Sequence, residues 1–404
     1  MSRHRYVIYD QLSSGEQIPL GENAFVQDEK QGVTQSQFRY LAEYLCKDDA
    51  RSIDPVNLPL SDQIFDFNKF PGALDDVLPD RWGREVALKL GNIKRHDTAG
   101  LIEWLSSHHI GSLSFVKHET NAPPHSLSKR TIGHPMDWLE QLERESRKFE
   151  NNAIPDVAKE WALTLANGAS VGGARRKTLV EHEGNGYLVK FPQKNDPINM
   201  PRIEHASMTL AQKVGIKVAE TRLTQVNGKD VLLVKRFDID NGYPCRQLLS
   251  FDTLLQGHAY HYGELAKVLI EQVTTSRLEE SLLQLFMQMC FNICINNTDD
   301  HLKNFSLLRD EKGWVVSPAY DLVPSTTLGE YHQLGFEYSN VPPKGEALLM
   351  FAKKHFHLRE SQAVAVITAC EREFNDWQLH FALMGVDKVD VNYLKSIIAP
   401  RLGI

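Results

Sequence analysis

The sequence predicts an α+β fold in which a mixed N-terminal module precedes a β-rich segment and then a mainly helical one. Three observations carry this expectation. Between residues 178 and 237, short apolar runs alternate with Asn-Gly turn signals. From about Arg246 the apolar residues recur at helical spacing. The chain has 404 residues, 42% of them hydrophobic and 24% charged, as in an ordinary globular protein of two or three domains.

Residues 1–116 form the mixed module. Tyr6–Tyr9 reads as a strand, the Gly15 and Gly21 regions as turns, and Gln37–Cys46 as helical. Pro-Gly and Pro-Asp punctuation then gives way to a helix starting near Trp82, with another at Gly100–Ser107. No catalytic constellation stands out here, which suits packing and recognition. Residues 117–134 are polar, carry two adjacent prolines and read as a linker.

The β-rich segment spans 135–245. Helical charge patterning at Met136–Glu150, and again at Asp156–Leu165, leads to the small-residue run Gly168–Lys177. Thr178–Glu183 and Tyr187–Phe191 follow as strands about the turn Glu183-Gly184-Asn185-Gly186, with Asn-Gly supplying positive φ. Small residues let backbone N–H groups approach phosphates, and Lys177 and Lys190 would neutralise them. An ordinary glycine turn with surface lysines is the other reading, since this is no Walker A sequence. Pro201–Val214 is an amphipathic helix. Glu204, in its first turn, either complements the helix dipole or pairs with Lys190 and orients it. A second hairpin joins Val218–Val226 to Val231–Phe237 through Asn227-Gly228-Lys229-Asp230.

Residues 246–404 are read as helices at Leu248–Leu255, Gly263–Gln272, Leu278–Ile295, Gly345–Phe356, Ser361–Phe374 and Asp376–Leu383. The apolar run 282–295 is broken by Gln284, Gln288 and Asn292, too short and polar to span a bilayer. With no apolar leader in MSRHRYVIYDQL, a cytoplasmic location is expected. The cysteines, Cys46, Cys245, Cys290, Cys294 and Cys370, are odd in number and scattered, which suits reduced thiols. The net charge of −7 disfavours a large bare nucleic-acid surface.

The densest chemistry is Asn297-Thr298-Asp299-Asp300-His301-Leu302-Lys303-Asn304-Phe305-Ser306. Asp299 and Asn304 have the spacing of the protein-kinase catalytic loop, where an Asp takes the proton of the attacking hydroxyl and an Asn holds Mg²⁺. A short hairpin, Phe305–Arg309 and Trp314–Ser317, leads to Asp321 in an apolar setting. Folding of that hairpin would let Asn304 and Asp321 share one Mg²⁺, with its remaining positions left to phosphates and water. Lys303 is either a solvated charge or a cation following the transferred phosphate. Singly, each residue has a structural alternative: Asp299 and Asp300 as caps, His301 as a satisfied core histidine. Together with Lys190 and Glu204 they predict a two-lobed, protein-kinase-like fold.

The runs Ser170–Lys177, Val234-Lys235-Arg236-Phe237-Asp238, Asn297–Ser306 and Ala319-Tyr320-Asp321-Leu322 resemble the HipA family, serine/threonine kinase toxins of bacterial type II toxin–antitoxin systems. Leu78–Arg84 and Ile110–Phe115 resemble segments of the family's N-terminal domain. The resemblance implies Asp299 as catalytic base, Asn304 and Asp321 as Mg²⁺ ligands, and Lys190 on the ATP phosphates. It implies a phosphate loop of Gly172, Gly173, Ala174, Arg175, Arg176 and Lys177, and a hinge of Lys235, Arg236 and Phe237 under adenine. His301 and Tyr320 would lie close to the nucleotide. Ser170 matches the autophosphorylated serine, whose phosphate would compete with ATP for the same donors. The basic pair Arg175-Arg176 departs from the pattern. The implied partners are a protein substrate such as an aminoacyl-tRNA synthetase, a small DNA-binding antitoxin, and DNA only through that antitoxin. Two other functions fit the same residues: a co-repressor module with little activity, and a small-molecule or lipid kinase.

Overall fold

The computed structural model describes residues 1–106, 108–118, 132–151, 162–163, 165–166, 175–258, 261–326, 329 and 331–403. The chain divides into two compact units, residues 1–190 with 235–249, and residues 191–234 with 250–404. The division cuts through the segment 135–245 that the sequence reading treats as one β-rich lobe.

In the first unit, strands β1 (Ser2–Gln11), β2 (Gln17–Asp28), β3 (Gly32–Tyr40), β4 (Phe65–Phe67) and β5 (Leu113–Lys117) form an antiparallel sheet in the order β4-β3-β2-β1-β5. One face is apolar and buried, with Tyr6, Ile8, Phe25, Phe38 and Phe115 in the core. Helix α1 (Arg81–Leu90) starts at Asp80, whose carboxylate accepts from the N–H groups of Trp82 and Gly83. Helix α2 (Thr98–Leu105) starts in the same way at Asp97. Helix α3 (Leu139–Glu150) follows, and β6 (Lys177–His182) and β7 (Asn185–Lys190) make a hairpin.

The second unit opens with helix α4 (Met200–Val214), capped by Asn199 and closed by Gly215 at φ 104°. The hairpin β8 (Thr221–Val226) and β9 (Lys229–Lys235) turns at Asn227 and Gly228, both at positive φ, as the Asn-Gly signal requires. Helix α5 (Tyr262–Gln272) precedes α6 (Thr275–Ile295), which is buried from Gln288 to its end. The hairpin β10 (Ser306–Asp310) and β11 (Gly313–Val316) follows the polar ten-residue run. Helices α7 (Glu346–Phe356), α8 (Glu360–Asn375), α9 (Trp377–Leu383) and α10 (Lys388–Leu394) complete the unit. Helix α6 is central, packing against α4, α5, α7, α8 and β11. Cys290, Cys294 and Cys370 are buried free thiols.

Several local expectations are corrected. Gly21 lies inside β2, beside a bulge in the pairing with β1, rather than in a turn. Its backbone sits against Phe38 and Arg39, where a Cβ would come within 2.8 Å of the Arg39 carbonyl. Gln37–Tyr40 ends β3, and only Ala42–Leu45 is helical. Leu248–Ser250 is extended, with a helical turn only at Phe251–Leu254, because the Ser250 hydroxyl caps Thr253 and starts the helix late. In the β6–β7 hairpin the positive φ falls on Glu183 and Gly184, while Asn185 and Gly186 begin the strand. Gly186 is needed there for close approach: a Cβ would meet Ile239 at 2.4 Å and the Ile132 carbonyl at 3.1 Å. No helix among the described residues is long and apolar enough to cross a membrane.

The end of the segment read as a linker is anchored. His134 and Pro135 pair in parallel with Val180 and Glu181 of β6, and a Cβ on Gly133 would lie 2.3 Å from the Val180 backbone. Backbone cannot yield as a side-chain tip can. Gly133→Ala is therefore expected to lower the unfolding free energy by about 1–3 kcal/mol in urea denaturation. An unchanged midpoint would show that β6 moves freely.

Candidate functional site in the second unit

The polar run begins where α6 stops. Asn296 adopts the left-handed conformation, φ 59°, that ends the helix. Its amide donates to the Gly329 carbonyl and its oxygen accepts from Arg401, so the turn is fixed on both sides. Asn297 donates to Asn292 Oδ1 at 3.1 Å and to the Asp321 carbonyl at 3.4 Å. One side chain thus ties the start of the run to the backbone of the distant acid.

The two adjacent aspartates have different environments. Asp300 is fully buried. Oδ2 accepts from the Tyr262 hydroxyl at 2.5 Å and lies 2.8 Å from His332 Nδ1. Oδ1 accepts from the N–H groups of Gln333 and Leu334 at 2.9 and 3.3 Å. Burial, with the Asp300 charge beside it, pushes the Tyr262 hydroxyl well above its ordinary pKa and keeps it a donor. Asp299 is exposed, and its Oδ1 accepts from the Gln333 carboxamide. Desolvation raises its pKa; His301 opposes the rise, while the negative Asp321 and Asp300 add to it. Asp300 is thereby held by four protein donors, while Asp299 accepts from the Gln333 side chain.

The chain then makes a 3₁₀ turn at Leu302–Asn304. Asn304 is 5% exposed, and its Nδ2 donates to the Asp299 carbonyl at 3.0 Å. That bond fixes which end of the amide is oxygen. The buried Oδ1 has no hydrogen-bond partner among the described residues. A buried amide oxygen without a donor suits a hard cation, and Mg²⁺ takes such oxygens together with carboxylates. Among the described residues no three His, Cys, Asp or Glu side chains cluster as a metal site.

Tyr320 and Asp321 are brought up by the hairpin and by a clamp. Gln284 of α6 exchanges two hydrogen bonds with the Lys217 backbone. Lys217 and Ala219 in turn grip Ala319 through backbone bonds of 2.8 and 2.9 Å. The Tyr320 hydroxyl donates to the Lys303 carbonyl at 2.9 Å and lies 2.7 Å from Ser306 Oγ. Asp321 sits at φ 58°, a conformation that a non-glycine residue holds at a cost of roughly 1 kcal/mol. Lys303 is exposed, 4.0 Å from Asp252. His301 is partly exposed, with its Nδ1 buried and unpartnered. Glu204 is buried on α4 just past its first turn, because the helix starts at Met200.

The remaining candidates belong to the first unit. Ser170, Gly172, Gly173 and Ala174 lie outside the described residues. Arg176 is buried and bonds Ser146 and Glu150 of α3, which gives half of the unusual basic pair a packing role. Arg175 is described, half-buried, and no role is apparent for it. Lys177 is buried, its ammonium 2.9 Å from Asp80 at the start of α1. Lys190 ends β7. Arg236 forks onto Asp238 at 2.6 and 3.0 Å and donates to the Ile132 carbonyl, while its own N–H is taken by Gly186. Lys235 and Phe237 flank it. Tyr262, His332 and Gln333 are site-building residues that pattern reading missed. Asn292 was visible only as a polar interruption of α6.

Residues 169–377 match the HipA-like C-terminal domain and residues 24–116 the HipA N-terminal domain. The first of these matches covers more than half of the chain, and the protein belongs to the HipA family. Its fold is shared with HipA of Shewanella oneidensis MR-1, solved as a toxin–antitoxin complex of HipA, HipB and operator DNA. That similarity has a TM-score of 0.67 and 16% identity, over 97% of this chain and 94% of the other. The two-lobed, kinase-like α+β class expected from the sequence is thus the fold observed. Two Sinorhizobium fredii (strain NBRC 101917 / NGR234) proteins, Y4dM and Y4mE, both named only as proposed kinases, are 28% and 30% identical over 35% and 42% of this chain. The chain spans 38% and 44% of the length of these curated relatives.

The contrast between the two aspartates has a measurable consequence. Asp300→Asn replaces a charge held by four donors and should cost about 3–5 kcal/mol in urea unfolding. Asp299→Asn, with one side-chain partner on an exposed carboxylate, should cost under about 1 kcal/mol. Equal losses would remove the distinction between them.

Proposed function

We propose that the chain is an ATP- and Mg²⁺-dependent serine/threonine protein kinase acting as the toxin of a toxin–antitoxin pair. The observation that carries this reading is Asn304, tied through Nδ2 to the Asp299 backbone, with a buried Oδ1 that has no hydrogen-bond partner among the described residues. In this reading Asp299 accepts the proton of the attacking hydroxyl. Asn304 and Asp321 would hold the magnesium, which when bound neutralises phosphate charge. Lys303 follows the transferred phosphate, and His301 and Tyr320 shape the nucleotide's surroundings. Lys190 takes the ATP phosphates with the 172–177 loop, and Lys235 to Phe237 serve adenine through the backbone. The buried Arg176 and Lys177 side chains favour a loop that binds phosphate mainly through its N–H groups.

The assembly of HipA with HipB and operator DNA supports a small DNA-binding antitoxin as partner. With a net charge of −7, this chain would leave DNA contact to that partner. A translation component such as an aminoacyl-tRNA synthetase is the substrate we favour.

Purified chain incubated with [γ-³²P]ATP and magnesium should transfer phosphate to protein hydroxyls. Asp299→Asn should lower the rate by roughly 10²–10⁴-fold, the scale for losing a general base, and relieve growth inhibition. Full activity in the folded variant would overturn the assignment. Mass spectrometry of active protein should also find phosphate on Ser170. An active kinase lacking it would leave the reaction standing and remove self-inactivation.

A further inference from the structure

Beside the proposed base lies a residue with no role in the scheme above. Gln333 is exposed, yet its Nε2 donates to Asp299 Oδ1 at 2.5 Å. An exposed glutamine loses rotamer entropy on being fixed, and a charge-assisted bond to a carboxylate is strong enough to offset that.

The bond is not needed to hold the Gln333 backbone. Its N–H is shared between Asp300 Oδ1 and the Thr298 carbonyl. His332 before it and Leu334 after it both reach Asp300. Asn340 closes the segment by donating to the His332 carbonyl at 2.7 Å and accepting from the His332 N–H at 3.0 Å. Gly335 pairs with His261 and accepts from the Tyr262 N–H. The backbone is fixed independently, and the side chain is aimed from it at one carboxylate oxygen.

We propose that Gln333 is a positioning residue for phosphoryl transfer, holding the Asp299 carboxylate in one rotamer with Oδ1 occupied and Oδ2 turned to the acceptor hydroxyl of a protein substrate. This rests on the kinase reading. In the step itself the acceptor O–H proton passes to Asp299 Oδ2, and the acceptor oxygen bonds to the γ-phosphorus. The bond from that phosphorus to the leaving oxygen of ADP breaks. A carboxylate free to rotate would spend part of its time with neither oxygen in line. Positioning losses of this kind lower turnover without altering nucleotide affinity.

The test uses the full chain, [γ-³²P]ATP, magnesium, and casein as the added acceptor, with transfer into the chain itself scored in parallel. Gln333→Met keeps the side-chain length and removes the donor. It should lower kcat by about 10–100-fold while KM for ATP stays within about twofold. The urea midpoint should not move, because the side chain is exposed. Gln333→Glu sets a second carboxylate against Asp299 and should lose more than the Met variant. Wild-type turnover in Gln333→Met, alongside an inactive Asp299→Asn, would overturn the positioning role alone. No transfer by the wild-type chain to either acceptor would overturn the kinase reading, and the positioning role with it.

Discussion

A carboxylate with no access to water is tolerated only where protein donors replace its hydration. Asp300 meets that condition through Tyr262, His332 and the backbone of residues 333 and 334. The donors come from two separate parts of the second unit's sequence. The first residue of α5 supplies one, and the segment following Asp321 supplies the rest. Satisfying one buried charge therefore fixes the middle of the ten-residue run against both. Asp299, its neighbour, inherits a defined position without having its own carboxylate saturated.

The same logic extends into α6. Its apolar faces bury it among five other elements, and its few polar residues do the local steering. Gln284 holds the Lys217 backbone, which with Ala219 sets Ala319, while Asn292 joins Tyr262 to Asn297. The backbone is left-handed at Asn296, where α6 ends, and again at Asp321. At Asn296 the side chain is bonded on both ends; at Asp321 the strain is held by the surrounding clamp.

What pattern reading recovered depended on how local the determining physics was. Helix α4 has its cap, its early proline and its terminal glycine in sequence, and its limits were legible to one residue. The Asn227-Gly228 turn was equally local. The N-terminal sheet was not. Gly21 reads as a turn residue, but close approach to Phe38 and Arg39 is what demands glycine there. Gln37–Tyr40 mimics helical spacing because strand β3 runs directly into a helical turn. In the site, the Asp299–Asn304 spacing was visible, but Gln333 and His332 were not, since nothing within their own neighbourhood distinguishes them from loop polarity.

The sequence alone determined the identities and the spacing: an Asp and an Asn five apart, an acid beyond a hairpin, and a long apolar helix leading in. Those are consequences of covalent order and of 3.6- and 2-residue periodicity. Only the tertiary structure decided which of two adjacent aspartates is satisfied, which end of Asn304 lies unpaired, and that Lys177 and Arg176 are buried struts. Desolvation is the reason. A polar side chain has its chemistry set by which groups replace its water, and those groups come from residues far away in the chain.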